Sequence, residues 1–247
     1  MGRNSWTATV DLRAALANIH NDRLWWRKIL IGGALMLTVF GYPWAAGLVM
    51  ESLDNARKGF PTPLPPWREW STRYLIGLFA VLIDFVFFVL PAFLIGLLFF
   101  CGALASVATD ADGGVSWLAP VSGVVLLLYE ATMFSISVAP VGRLIYADRG
   151  RPEEAMSVQS LRDALNPRAR RVYAQARLLS LPAYLPAVLL GAACWFVGRG
   201  AFAGAAPLAL ILLWLTLSAL LYAHLAVVQL YAAAERVVRY GVDSFAR

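Results

Sequence analysis

The sequence predicts an all-α, polytopic membrane protein. We expect about four spanning helices, an N-terminal re-entrant or kinked helical hairpin, and amphipathic helices lying along the membrane surface. Three observations predict it. The 247 residues are 60% hydrophobic and only 15% charged, with a mean hydropathy of +0.65, whereas soluble domains are near half apolar and about a quarter charged. Apolar runs at 29–50, 74–109, 116–146, 178–197 and 205–234 each reach or exceed the ~20 residues that cross a hydrocarbon core of about 30 Å. Lys and Arg, finally, collect in particular gaps between those runs. No polar stretch is long enough to fold separately, so 1–247 reads as one membrane domain.

The N-tail, 1–28, carries Arg3, Asp11, Arg13, Asp22, Arg23, Arg27 and Lys28. The first apolar run starts late and lacks the small-residue cleavage pattern of a signal peptide. Leu12, Ala15, Leu16 and Ile19 follow helical spacing and form one apolar stripe against a charged face, as in an interfacial helix.

The first run is expected to turn back as a hairpin over 29–56. Gly41-Tyr42-Pro43-Trp44 sits near its middle. Gly relaxes the backbone, and Pro removes a donor and clashes with the preceding turn, leaving two helices too short to cross. A kinked spanning helix is the alternative. Charge decides between them. If all five runs cross, one side holds fifteen of the twenty-one Lys and Arg residues and the other six; if the first run returns, the division is twenty to one. Cytoplasmic loops collect Lys and Arg, so both termini are expected in the cytoplasm and the protein in a prokaryotic plasma (inner) membrane.

The connector 57–73 is rich in Pro (Pro61, Pro63, Pro65, Pro66), which favours an extended, stiff chain. Trp67 and Trp70, like Trp25 and Trp26 before the first run, are expected as interfacial anchors at headgroup level; a docking site for a peptide or partner is the other reading of Trp67 and Trp70. A spanning pair follows at 74–109 and 116–147. The first of these would be about 52 Å long as one straight helix, so it must tilt or kink, with Pro91 the expected site.

The connector 148–177 should be amphipathic and cytoplasmic, with Val158, Leu161 and Leu165 on one stripe and Asn166-Pro167 as a stop and fresh start. Its Arg168, Arg170, Arg171 and Arg177 are expected to contact anionic lipid headgroups. The net charge of +6 is therefore an orientation and lipid signal; no nucleic acid is implied. A second spanning pair occupies 178–197 and 205–235, and 236–247 is a short cytoplasmic tail. Leu12-Arg13-Ala14-Ala15-Leu16 resembles Leu161-Arg162-Asp163-Ala164-Leu165, each followed by a basic segment and an apolar run; this is either the trace of a duplicated unit or chance.

Trp25-Trp26-Arg27-Lys28-Ile29-Leu30-Ile31-Gly32-Gly33 and Leu64-Pro65-Pro66-Trp67-Arg68-Glu69-Trp70 resemble the corresponding segments of a prokaryotic membrane-protein family known only as domain of unknown function four thousand and thirteen. The resemblance covers about residues 10–235. It departs at Arg68-Glu69, which stands where the family usually has an acidic pair. It implies the same order of runs and brings no activity or catalytic residues.

Ionisable groups inside apolar runs are expensive and so worth naming: Asp84, Glu130, Arg143 and His224. Equal depth makes an Asp84–His224 pair possible, either a structural bridge between helices or part of a transport path. Arg143 is expected to snorkel to a headgroup, and Glu130 to be protonated or partnered.

Catalytic residues, metal sites and cofactors are not expected. The two histidines, His20 and His224, are too far apart for a zinc-binding His pair on one helix. The chain also lacks a nucleophile elbow and a phosphate-binding loop. Asp110-Ala111-Asp112-Gly113-Gly114 opens like a calcium loop without the later ligands and reads as a turn. Cys101 and Cys194 read as small buried hydrophobes. Gly102/Ser106 and Ala219/Ala223 have the spacing of close helix contacts.

Three functions remain in order of expectation. The first is a non-enzymatic scaffold or accessory subunit of a larger membrane complex, in contact with other membrane subunits or with copies of itself. The second is a transporter or channel-like protein for a small solute, ion or lipid. The third is a membrane enzyme acting on lipid.

Overall fold

The computed structural model describes residues 10–108, 118–200 and 204–240, and these are all-α. The order is α1 Leu12–His20, α2 Trp25–Met36, a 3-10 turn Val39–Gly41, α3 Tyr42–Arg57, α4 Trp70–Asp84, a π turn Phe85–Val89 and α5 Leu90–Ala108. Then follow α6 Leu118–Ile136, α7 Val138–Arg149, α8 Pro152–Ala155, α9 Val158–Leu165, α10 Pro167–Ser180, a 3-10 turn Leu181–Tyr184, α11 Leu185–Gly198 and α12 Ala205–Tyr240. Three helical stretches are long and apolar enough to cross a membrane: Trp70–Ala105, Ala169–Gly198 and Ala205–Tyr240. The pair Pro120–Ile136 and Val138–Arg149, bent by 44°, makes a fourth if it is one span.

The first run does fold as a hairpin. Its helices of 12 and 16 residues are about 18 and 24 Å long, short of a bilayer core. The break comes before Pro43. Thr38 caps the 3-10 turn by accepting from the Gly41 N–H at 3.0 Å, and Pro43 then falls in the first turn of α3, where its missing N–H costs nothing. The two ends of the run are tied together, since Lys28 Nζ donates to the Leu64 carbonyl at 2.9 Å while also pairing with Asp22.

α12 is the central shaft. From Leu221 to Glu235 it is buried on nearly every side, and α1, α2, α3, α7, α10 and α11 pack around it. Two glycine crossings allow close approach. A Cβ on Gly33 would lie 2.8 Å from Ser218 backbone, and one on Gly77 1.7 Å from the Pro43 carbonyl oxygen, so α2 meets α12, and α4 meets α3, backbone to backbone. Of the pairs expected from small-residue spacing, Ala223 is fully buried, but a Cβ on Gly102 would meet nothing; the Ser106 side chain lies outside the described residues. Away from this core the surface is apolar. Phe93, Leu98, Phe100, Leu127, Leu128 and Phe196 are all exposed, as suits helices solvated by lipid.

Proline disturbs two other runs, in each case upstream of the ring. Before Pro91 the helix widens into the π turn, where Leu90 N–H bonds Phe85 O. Before Pro140 it breaks at Ser137, held at φ 65°, so that the ring sits in the first turn of α7.

The amphipathic segments differ from expectation in part. α1 docks on α12 through Ala15 and Ile19 with Leu12 and Leu16 beside them. In α9 the buried residues are Ser160 and Ala164, with Leu161 packed at their edge, while Val158 and Leu165 are exposed. Small side chains let α9 lie close against α7, and the larger ones are left outside. Asn166 ends α9 and its carbonyl opens α10 by accepting from Ala169 and Arg170.

One order of elements occurs twice: a short amphipathic helix, a helix, a 3-10 turn, a helix and a 36-residue apolar stretch, first over 12–105 and again over 158–240. The expected turn at 109–115, with its calcium-like opening, lies outside the described residues.

Candidate functional site

Charge is organised at two levels. At one end of the bundle, Arg57 at the end of α3 donates from Nε to Glu235 at 2.5 Å and from Nη2 to Asp148 at 2.6 Å. Arg239 completes the ring, bonding Asp148 and Glu235, each at 2.7 Å. Burial alone would lower the Arg57 pKa, but hydrogen bonds to the two carboxylates leave it raised. The ring joins α3, α7 and α12 and borders a crevice of about 220 Å³ also lined by Asp163 and Tyr173. It also brings together chain segments that follow the first, third and last apolar runs.

The second level lies among the helices. Asp84 pairs with Arg143, not with His224 as equal depth along the helices suggested. Depth in a sequence carries no azimuth, and Asp84 faces α7. Arg143, expected to snorkel to a headgroup, is taken up by Asp84, and its side chain is 14% exposed. His224 instead meets the Tyr184 ring edge-on at 5.9 Å and lies within electrostatic range of Arg143 and Arg177.

Arg177, expected at a headgroup, is 6% exposed. Its guanidinium lies 4.0 Å from the centroid of Phe134 and 5.5 Å from that of Tyr231, and the Tyr231 hydroxyl donates to Ser137 Oγ at 2.6 Å. Arg170 and Arg171 on the same helix are exposed. The Arg168 side chain lies outside the described residues. Tyr42 and Tyr184 are in electrostatic range of both Asp84 and Arg143. Glu130 stands apart, on α6 one turn from Phe134, half-buried and with no ion pair or hydrogen bond from its side chain among the described residues.

The result is one polar cluster of Tyr42, Asp84, Arg143, Arg177, Tyr184 and His224. Three irregular backbone segments border it: the π turn that begins one residue after Asp84, the bend at Ser137 and the 3-10 turn ending at Tyr184. The sequence does not single out Tyr42, Arg177 or Tyr184 as intramembrane polar groups: Arg177 falls among the arginines of the 148–177 connector, and tyrosine has too mild a hydropathy to stand out in an apolar run.

The tryptophans divide. Trp25 packs inside an aromatic trio with His20 and Tyr222, whose hydroxyl is 3.0 Å from His20 Nε2, and Trp26 is exposed beneath Arg27. Trp67 stacks on Trp70 at 5.4 Å and donates to the Lys28 carbonyl at 3.3 Å. Beside it Arg73, 2% exposed, forks onto Glu51 at 3.0 and 2.6 Å. The Pro-rich connector is thus fastened to the hairpin, with Pro63, Leu64 and Pro65 buried and Trp70 left at the surface.

Among the described residues no group of three or more His, Cys, Asp or Glu side chains is arranged to hold a metal. Cys101 is exposed, and Cys194 is partly buried with its Sγ 3.4 Å from the Ala209 carbonyl.

Long apolar helices, a lipid-like exterior and a buried charged cluster define a multi-pass helical membrane protein. Residues 30–196 match the family described as Protein of unknown function (DUF4013), and the chain belongs to that family. The match takes in Gly32, Gly33 and the Trp67–Trp70 segment, and begins after Trp25 and Trp26. No curated protein and no solved structure matches the chain.

Proposed function

We propose that this protein is a non-enzymatic membrane protein that binds a small solute, ion or lipid headgroup at the Asp84–Arg143 cluster and passes it across or along the bilayer. One observation carries the reading: a π turn, the bend at Ser137 and a 3-10 turn border a cluster of charges inside an otherwise apolar bundle. A bent helix frees carbonyls and N–H groups for a ligand, π turns recur at functional sites, and ionisable groups at membrane depth are retained mostly for function. The repeated element order also suits a transport fold. The proposed setting is a prokaryotic plasma membrane with both termini cytoplasmic, where Arg170 and Arg171 face anionic headgroups.

The test is solute flux in proteoliposomes made with wild type, Asp84→Asn and Glu130→Gln. Flux that falls at least tenfold in Asp84→Asn supports the reading. Absence of flux for any ion, phosphate or lipid probe in wild type overturns it.

A second reading, an accessory subunit, is favoured by the α5–α6 pair, which exposes Phe93, Leu98, Leu127 and Leu128 and carries the half-buried Glu130. Purification in mild detergent followed by mass spectrometry decides for it if a stoichiometric subunit stays bound.

A further inference from the structure

We propose that Arg177, together with Arg143, is the binding point for a phosphate-class oxyanion within this cluster, an inference that rests on the reading of the cluster as a ligand site. Arg143 is balanced by Asp84. Arg177 has no carboxylate partner among the described residues, so the cluster carries one positive charge in excess. Arg cannot discharge itself by losing a proton, and a buried charge without a counter-charge is strongly unfavourable.

The donors are also in excess. The Nε groups of Arg143 and Arg177 are buried without a hydrogen-bond acceptor. Tyr184, in electrostatic range of both arginines, and Tyr42, in range of Arg143, make no side-chain hydrogen bond among the described residues. Two guanidinium groups and two phenols offer more donors than the two oxygens of a carboxylate take up, and they suit phosphate, whose oxygens accept from several directions. The ring faces of Phe134 and Tyr231 hold the Arg177 plane in place, so the fork is preorganised. Both Nε groups are closed off from the surface in this conformation, so entry requires side chains to part beside the breaks at Ser137 and 181–184. A lipid phosphodiester and free inorganic phosphate present the same chemistry.

The experiment uses the full chain in neutral detergent and reads thermal unfolding. The probes are inorganic phosphate against chloride at equal ionic strength, and phosphatidylglycerol against diacylglycerol, which lacks the phosphodiester. We expect at least one phosphate probe to stabilise wild type over its control. The apparent affinity should fall about tenfold or more in Arg177→Gln, the loss of a charge-assisted hydrogen bond. Arg143→Lys, which keeps the charge and loses the fork, should weaken binding by a smaller factor and serves if Arg177→Gln does not fold. The surface double variant Arg170→Gln/Arg171→Gln should keep the full response. A response to inorganic phosphate identifies a free solute; a response to phosphatidylglycerol alone identifies a lipid.

The proposal is overturned if neither probe stabilises wild type, or if the surface variant loses the response and the Arg177 and Arg143 variants keep it. Binding without flux sinks the passage reading and leaves this site standing. Flux indifferent to Arg177→Gln sinks this site and leaves passage standing.

Discussion

The Tyr129 hydroxyl donates to the Phe87 carbonyl oxygen at 2.7 Å, the acceptor that Pro91 leaves without its helical donor. In a regular helix the N–H of residue 91 would bond the carbonyl of residue 87, and proline has none. A side chain from α6 supplies it, so the π turn, the proline and the α5–α6 packing are one device.

Tyr129→Phe should therefore cost about 1 kcal/mol, the net worth of one hydrogen bond in such a setting. In a Pro91→Ala background the cost should fall toward zero, because the new N–H serves Phe87 O. A double-mutant cycle by chemical unfolding in detergent reads the coupling; equal costs in both backgrounds would show that the two are independent.

Glycine substitutions should separate packed from open sites. Gly77→Ala places a Cβ 1.7 Å from the Pro43 oxygen and should cost about 1–3 kcal/mol or more, as in overpacked cores. Gly102→Ala meets nothing and should be neutral or stabilising by about 0.5–1 kcal/mol through helix propensity. Tm measurements on the two purified variants compare them directly.

At the charged end, Arg57→Gln leaves the Glu235 carboxylate, 8% exposed, with only Arg239. We expect a loss of about 3 kcal/mol, typical of a buried pair deprived of one partner. Lys58→Ala removes an exposed pair with Asp54 and should cost less than about 0.5 kcal/mol. Equal unfolding midpoints for the two variants would contradict the ring's structural role.

Ser137 trades backbone strain for a hydrogen bond. Ser137→Ala keeps the left-handed φ and leaves the buried Tyr231 hydroxyl without its acceptor, a cost of about 1–3 kcal/mol. Ser137→Gly should be less damaging than Ser137→Ala by about 1 kcal/mol, since glycine relieves the left-handed strain. The order of the two midpoints is the test.

The hairpin and the proposed orientation make a topological prediction. A reporter at Lys58 should lie on the cytoplasmic side with both termini, and one at Ala111 outside. Protease protection or thiol labelling in intact cells reads it; Lys58 outside or Ala111 inside would refute the orientation.

Residue types and their spacing were enough for much of the fold. Long apolar runs specify a membrane class because lipid admits few backbones beyond helices there. Gly41 and Pro43 mark where the first run turns, and Asn166-Pro167 marks the boundary between α9 and α10, because caps and proline act through local sterics. The same local logic places the irregularity of the second run near Pro91 but a few residues too late, since the ring disturbs the turn before it. Of the candidate site, the sequence showed that Asp84, Arg143 and His224 are costly where they stand. Which of them meet was decided by tertiary structure: Arg143 takes Asp84, Tyr184 takes the edge of His224, and Arg177 is drawn from an expected headgroup position onto Phe134 and Tyr231. Periodicity reports which face of a helix is apolar. It does not report which helix lies opposite or at what rotation, and ion pairs, cation–ring contacts and glycine crossings depend on those two quantities.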